Sequence, residues 1–416
     1  MGVCAGQHED RQFVDRGPLI RMNRRAFLKL SSVSAVGFGL SGCAASNQRP
    51  ATASGGPRRP LVVPPVTASW DRVIRTTVGL RPHRDAGFVL KPDKLDDRLL
   101  IHNYGHGGAG MSLAWGTGLM AAEFATEHQA RRAAVIGCGS VGLTSARQLQ
   151  RRGFDMTIYA LAVPPNVTSS MSLAGFTPAS GLVEPDRRTN EWDAQYRRAA
   201  DISYRQLQLM AGPVYGVSWL DNFTLTDDQP NQNRQARVSE RPNLMAGFDA
   251  GREVYGPGEH PFPTKYAIRS PTIRIEPNIY LDALVREFLL WGGRIVIRKF
   301  DTPRDLMSLG EPIIVNCTGL GARDLFGDRE LLPLKGQLTV LIPQPEINYH
   351  TQGGTRTPQP ERPGSLGIHM MPRNDGIVLG GTSQRDVWTL EPDEDERRRV
   401  VDNHIEVFGA MKGVRV

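Results

Sequence analysis

The sequence predicts an α/β protein, and three observations carry that prediction. Residues Arg132-Ala-Ala-Val-Ile-Gly-Cys-Gly-Ser-Val-Gly142 are a short apolar strand running into a Gly137-x-Gly139-x-x-Gly142 turn, followed by a helical stretch at 141–152 that Gly153 stops. A second glycine-rich run, Ile101 to Gly110, lies just ahead of it. Beyond both, helix and strand signals alternate and then give way to a strand-rich remainder. Strand, turn and helix in this order form a Rossmann-like dinucleotide-binding unit. Gly137 permits the tight turn, Gly139 lets backbone amides approach a pyrophosphate, and Gly142 lets helix close on sheet. Ser140 and Val141 open the helix, whose positive end meets the diphosphate. The strand-rich part reads as a second, mixed-sheet domain.

Taken along the chain, helices are expected at 113–127, 191–209, 280–291 (capped by Pro277-Asn278) and 393–408. Strands are expected at 156–160, 294–297, 313–316, 337–342 and 377–379. Residues 226–262, polar and rich in Asn, Arg, Pro and Gly, read as long surface loops. The strand at 156–160 ends in Ala160-Leu-Ala-Val163, without the acidic residue that holds the ribose of NAD. That disfavours an NAD-dependent dehydrogenase. The hydroxyl-rich stretch that follows offers Thr168, Ser169 and Ser170 to phosphate or ribose, with Ala174, Gly175 and Phe176 beside them.

Five further segments carry a resemblance: Ile314-Val-Asn-Cys-Thr-Gly-Leu320, Pro333-Leu-Lys-Gly-Gln-Leu338, Gly376-Ile-Val-Leu-Gly-Gly-Thr382, Gly79-Leu-Arg-Pro82 and His102-Asn-Tyr-Gly-His-Gly-Gly108. With them the chain resembles the D-amino-acid oxidase family of FAD flavoproteins from about Val73 to its C-terminus. The resemblance implies non-covalent FAD, held by the glycine turn and by Thr318, Gly319 and Phe300. Gly107, Gly108 and Gly110 would bring backbone close to the flavin, with Met111 and Ser112 adjoining. Arg81 matches the arginine that grips the substrate carboxylate through a planar two-bond fork. The implied reaction is oxidation of an amino acid, foremost a D-amino acid, to the imino and then the 2-oxo acid, with O₂ reduced to hydrogen peroxide. His106 reads as a structural, hydrogen-bonded histidine.

Two departures from the family stand out. The segment that closes the family's chain, residues 70–130, here precedes the glycine-turn strand that opens it, which predicts a circularly permuted order joined around residues 128–131. On the substrate side, His369-Met-Met-Pro372 stands where the family has Tyr-x-x-Pro, and Ser365 replaces a second tyrosine. His369 is then expected to donate the missing bond or, as a cation, to favour a second acidic group. A loop at 348–364 with Tyr349 and His350 is the expected lid. These departures leave room for a degenerate flavoprotein that binds FAD without turnover, or for an oxidase of glycine or N-methyl amines.

The front of the chain predicts export. Met22-Asn-Arg-Arg-Ala-Phe-Leu-Lys29 is a twin-arginine signature, and Leu40-Ser-Gly-Cys43 resembles a lipoprotein box. Residues 1–43 are therefore expected to be a signal, 44–69 a flexible tether without a core, and 70–416 the oxidoreductase. The expected location is the outer face of a bacterial cytoplasmic membrane, anchored by lipid on Cys43. Cys4, Cys43, Cys138 and Cys317 form no disulfide framework and no metal-ligand spacing. The net charge of +7 comes with no aromatic-interleaved basic patch, so nucleic acid is not an expected partner.

Overall fold

The computed structural model describes residues 59–173, 175–230, 242–248, 251–354 and 367–411. Two sheets organise them. The smaller runs β2 (Val89–Leu95), β3 (Arg98–Tyr104), β10 (Ile313–Asn316), β4 (Arg132–Ile136), β5 (Asp155–Ala160) and β9 (Arg294–Ile297). From β3 to β9 every neighbouring pair is parallel, and β2 closes the edge antiparallel. Parallel central strands are covered on both faces, and β10 is accordingly buried along its whole length. Ile313 and Val315 point to one core and Ile314 to the other.

The first of those cores holds the helices α1 (Gly110–Thr126), α2 (Ser140–Gln150), α3 (Asn190–Leu209) and α4 (Pro277–Leu290). Glycines let α1 sit deep. A Cβ on Gly116 would lie 2.0 Å from the Ala199 carbonyl oxygen on α3, and one on Gly118 3.0 Å from the Ser145 amide on α2. The helices expected from sequence are all present, displaced by a few residues at their ends, where propensity is weakest.

The larger sheet runs β1 (Val73–His83), β11 (Leu332–Leu341), β14 (Gly376–Gly380), β13 (His369–Arg373), β12 (Tyr349–Gly353), β6 (Val217–Thr226), β8 (Tyr266–Ile275) and β7 (Glu253–Tyr255), with β15 (Gln384–Arg385) on β11. Only β12 and β6 pair in parallel, so the sheet is mixed, as predicted. One face carries Phe223, Leu225, Tyr349, Met370 and Leu379, which pack with Val400, Val401 and Phe408 of α5 (Glu394–Gly409). Strict period-two alternation then sends Asn222, Thr224, His350 and His369 to the opposite face. The strands of the two sheets interleave along the chain, within one compact unit that begins at Arg58.

Three expectations change. Residues 61–68 are not tether but a packed strap: Val66 is buried, Leu61 N–H donates to the Glu259 carbonyl at 2.8 Å, and the Tyr349 hydroxyl donates to the Pro64 carbonyl at 2.7 Å. Val63, Val66 and Ala68 add apolar surface to the α5 core, which the Pro-rich composition hides. Residues 349–353 of the expected lid are strand β12, and Tyr349 faces the α5 core. The expected loop at 226–262 contains β7. Arg24, Arg25 and Cys43, Ala174, and Ser365 with 355–364 of the expected lid, lie outside the described residues. Among the described residues no helix is long and apolar enough to cross a membrane.

Candidate active site

A cavity of about 1450 Å³ is lined by both sheets. Small-molecule sites span about 300–1,000 Å³, so this one has room for a dinucleotide and a substrate together. At one end, β4 runs out into the first glycine turn. Gly137 has φ +113°, and a Cβ there would lie 2.4 Å from the Cys317 carbonyl oxygen. A Cβ on Gly142 would lie 2.0 Å from the Gly137 carbonyl oxygen. No side chain caps α2, and Ser140 N–H donates to the Ser169 hydroxyl at 3.0 Å. Val141 and Gly142 also line the cavity, so a positive helix end borders it. Thr168, Gly175, Phe176, Phe300, Thr318 and Gly319 also line the cavity.

The second glycine run meets the first. Gly107, Gly108, Gly110 and Met111 all line the cavity. A Cβ on Gly107 would fall 1.8 Å from the Gly181 carbonyl oxygen, and Gly108 N–H donates to the Ser180 carbonyl at 2.9 Å. That bond commits the Gly108 amide to the protein. Ser112 and Ser170 stand off the cavity wall. The Ser112 hydroxyl accepts from Thr177 N–H at 2.8 Å and so holds the 177–181 loop instead. His106 is structural, as expected. Its Nε2 contacts the Thr117 hydroxyl at 3.1 Å, its ring stacks on Phe88, and burial pushes its pKa down to about 3.

Arg81 stands half-buried on the cavity wall. Its Nε donates to the Leu334 carbonyl at 3.0 Å, and its Nη2 donates to the Thr382 carbonyl at 3.1 Å and the Lys335 carbonyl at 3.5 Å. Gly336 makes room for it, since a Cβ there would lie 3.2 Å from the guanidinium carbon. Burial pushes its pKa down to about 10, which leaves it charged at neutral pH. Among the described residues no carboxylate pairs with Arg81, because Asp85 is taken by His83 and Arg385. A buried cation without a counter-ion is costly unless a ligand supplies one.

His369 lies on the same wall, with its ring across Gly380. Burial, with His350, His404 and Arg81 nearby, pushes it down to about 3. It is therefore neutral at any working pH, and its expected role as a second cation is corrected. Reasoning from sequence did not single out Asn222, Thr224, Ser270 or Gln352, which also line the cavity. Their polar-apolar alternation was visible, but the same pattern marks any half-exposed strand.

A family model described as FAD-dependent oxidoreductase matches residues 132–415. The chain belongs to that family. It is 26% identical over 279 residues to a D-amino acid oxidase of Dugesia ryukyuensis, covering 65% of this chain and 75% of the relative. It is 24% identical over 275 residues to a D-aspartate oxidase of Homo sapiens, covering 65% and 74%. Among solved structures, a glycine oxidase from Bacillus cereus aligns with TM-score 0.48 at 12% identity, over 68% of this chain and 79% of the other.

FAD is the cofactor, and the site fits it. Gly137 and Gly142 hold the turn tight against neighbouring backbone, Gly139 leaves open space beside it where a pyrophosphate can pass, and the end of α2 supplies amides and a positive dipole. Cys138 and Cys317, the thiols nearest in sequence to the glycine motifs, are free and buried, and burial pushes both up to about 12. Neither is a thiolate at neutral pH, so neither is poised for covalent attachment. Acid precipitation should therefore leave the flavin in the supernatant, and yellow colour in the pellet would overturn the non-covalent assignment.

Proposed function

We propose that the protein oxidises an amino acid, foremost a D-amino acid, to its imino acid, which water converts to the 2-oxo acid and ammonia. The observation that carries this reading is Arg81, a half-buried guanidinium on the cavity wall without a carboxylate partner among the described residues. Its Nε and Nη2 are anchored on main-chain carbonyls, which fixes the plane of the fork. A substrate carboxylate met by the N–H groups left on Nη1 would be held beside this anchored guanidinium, which places Cα in the cavity. FAD held at the glycine turns would supply the two-electron acceptor for dehydrogenation at Cα, with O₂ and two protons giving hydrogen peroxide on its reoxidation.

The chain's own residues bind and orient. His350 and His369, held near 4 and 3, are too weakly basic to act as general bases at neutral pH. The substrate amine therefore has to enter neutral, its proton going to solvent. Under anaerobic conditions a D-amino acid should bleach the flavin, and in air the same substrate should release peroxide and ammonia in equal amounts. Bleaching by glycine or N-methyl amines alone would favour that narrower class. Bleaching by none of these would identify a flavin binder without turnover.

Two further readings belong with this one. We propose that the chain is circularly permuted, supported by β1, β3 and α1: they precede the family match, yet β1 pairs β11 and β3 pairs β10 as integral strands. We also propose export and lipid anchoring through Arg24, Arg25 and Cys43, which rests on the sequence alone.

A further inference from the structure

The cavity face of the larger sheet carries a polar strip built by strand register. Ser270 on β8 stands opposite Asn222 on β6, and Asn222 opposite His350 on β12. One row along, Thr224 stands opposite Gln352, and Gln352 opposite His369 on β13. All six line the cavity. Several of their polar atoms are buried without a hydrogen-bond partner: Asn222 Oδ1, both ring nitrogens of His350, and His369 Nε2. Buried polar atoms in folded proteins are nearly always satisfied, and each exception calls for a physical cause. Four such atoms belong to three residues that border one cavity, which points to a ligand that meets them as those side chains turn toward it.

The chemistry of the strip narrows that ligand. Asn222 Nδ2 leans on the hydroxyls of Thr224 and Ser270, at 3.4 and 3.3 Å, and Gln352 Nε2 donates to Thr224 at 2.7 Å. These contacts leave Asn222 Oδ1 as an acceptor. A neutral imidazole adds one donor and one acceptor at His350. None of the six residues offers a charge at neutral pH, since burial pushes both histidines far below their usual range. Arg252, which also borders the cavity, is exposed. An ionised side chain buried against the strip would stay unpaired, and an apolar one would leave every orphaned atom unmet.

We infer that the strip is a subsite for a neutral, hydrogen-bonding substrate side chain, a hydroxyl or a carboxamide, selected by Asn222 and His350. The inference rests on the amino-acid oxidation proposed above and adds the class of side chain. His369 joins the strip to the carboxylate end, because both Arg81 and His350 lie close enough to act on its ring. The four atoms are left unmet in the protein so that the substrate can meet them, an arrangement that trades stability for specificity.

Near-isosteric pairs test it: D-asparagine against D-leucine, and D-threonine against D-valine. Wild-type holoenzyme, Asn222→Leu and His350→Leu are compared by kcat/KM and by anaerobic flavin bleaching, and each is melted with flavin bound. Wild type should prefer the polar member of each pair at least about tenfold. Either leucine should bring that ratio to about one or below, and the melting temperature should hold or rise, because an unmet buried group has been removed. Equal use of both members by wild type overturns the inference. So does a ratio that survives both substitutions while the melting temperature falls, which would mark the strip as structural. A preference for D-aspartate over D-asparagine overturns it as well. D-alanine separates the two levels: bleaching by D-alanine without discrimination between the pairs sinks the subsite alone, whereas bleaching by no amino acid removes the underlying reading and the subsite with it.

Discussion

Replacing Arg81 by alanine should lower kcat/KM for any carboxylate-bearing substrate by at least about 100-fold, or roughly 3 kcal/mol, the scale of a lost charge-assisted contact to a partly desolvated cation. The flavin spectrum should stay close to that of wild type, since the glycine cradle is built from other residues. Lysine should restore only part of the loss, because a point charge lacks the planar fork and cannot span Leu334 and Thr382 as the guanidinium does. The sign of the pH dependence follows from burial. The cation is the form that binds, and its pKa is pushed down to about 10, so carboxylate binding should weaken as pH rises through that value and hold below it. With His369 neutral throughout, no additional gain of affinity for acidic substrates should appear between pH 8 and 5. Steady-state kinetics from pH 5 to above pH 10 check both statements. A rise in D-aspartate turnover with an apparent pKa near 6.5 would show His369 to be titrating after all.

Substituting Gly139 by valine should give a folded protein that purifies colourless, whereas Gly142→Ala should fail earlier, in stability. The two glycines of one motif differ because of what stands around them. A Cβ on Gly142 would sit 2.0 Å from the Gly137 carbonyl oxygen, a backbone atom that cannot move without opening the turn from α2. A Cβ on Gly139 would meet only the Ser169 hydroxyl, at 3.1 Å, and otherwise points to open space in the cavity. The protein tolerates that side chain; a pyrophosphate approaching the end of α2 does not. Overpacking of this kind costs about 1–3 kcal/mol, so flavin affinity should fall by roughly 5- to 150-fold from crowding alone and further with each hydrogen bond the displaced pyrophosphate loses. Circular dichroism and flavin content, measured on the same samples, separate the two outcomes. Yellow Gly139→Val protein would mean that the pyrophosphate runs elsewhere.

The sequence alone determined the strand, turn and helix at 132–152, because a glycine turn constrains its neighbours locally: the φ of +113° at Gly137 belongs to three or four residues and needs no distant partner to be anticipated. For the same reason strands at 294–297 and 313–316 were placed to the residue. Short motifs also gave Arg81 and the second glycine run as part of one site. What they could not give is anything that depends on the face a strand presents. Period two says that Asn222 and Phe223 point apart, but only the seating of α5 on Phe223 decides that Asn222 faces the cavity and not solvent. The charge of His369 is of the same kind. Its ordinary pKa permits a cation, and burial across Gly380, near Arg81 and beside two other histidines, removes it. The strap at 61–68 looked like linker because its composition is Pro-rich, and it is ordered by partners far along the chain at Glu259, Gln344 and Tyr349. Local conformation is written in neighbouring residues, whereas burial, and with it charge state and ligand contact, is set by residues brought together from across the fold.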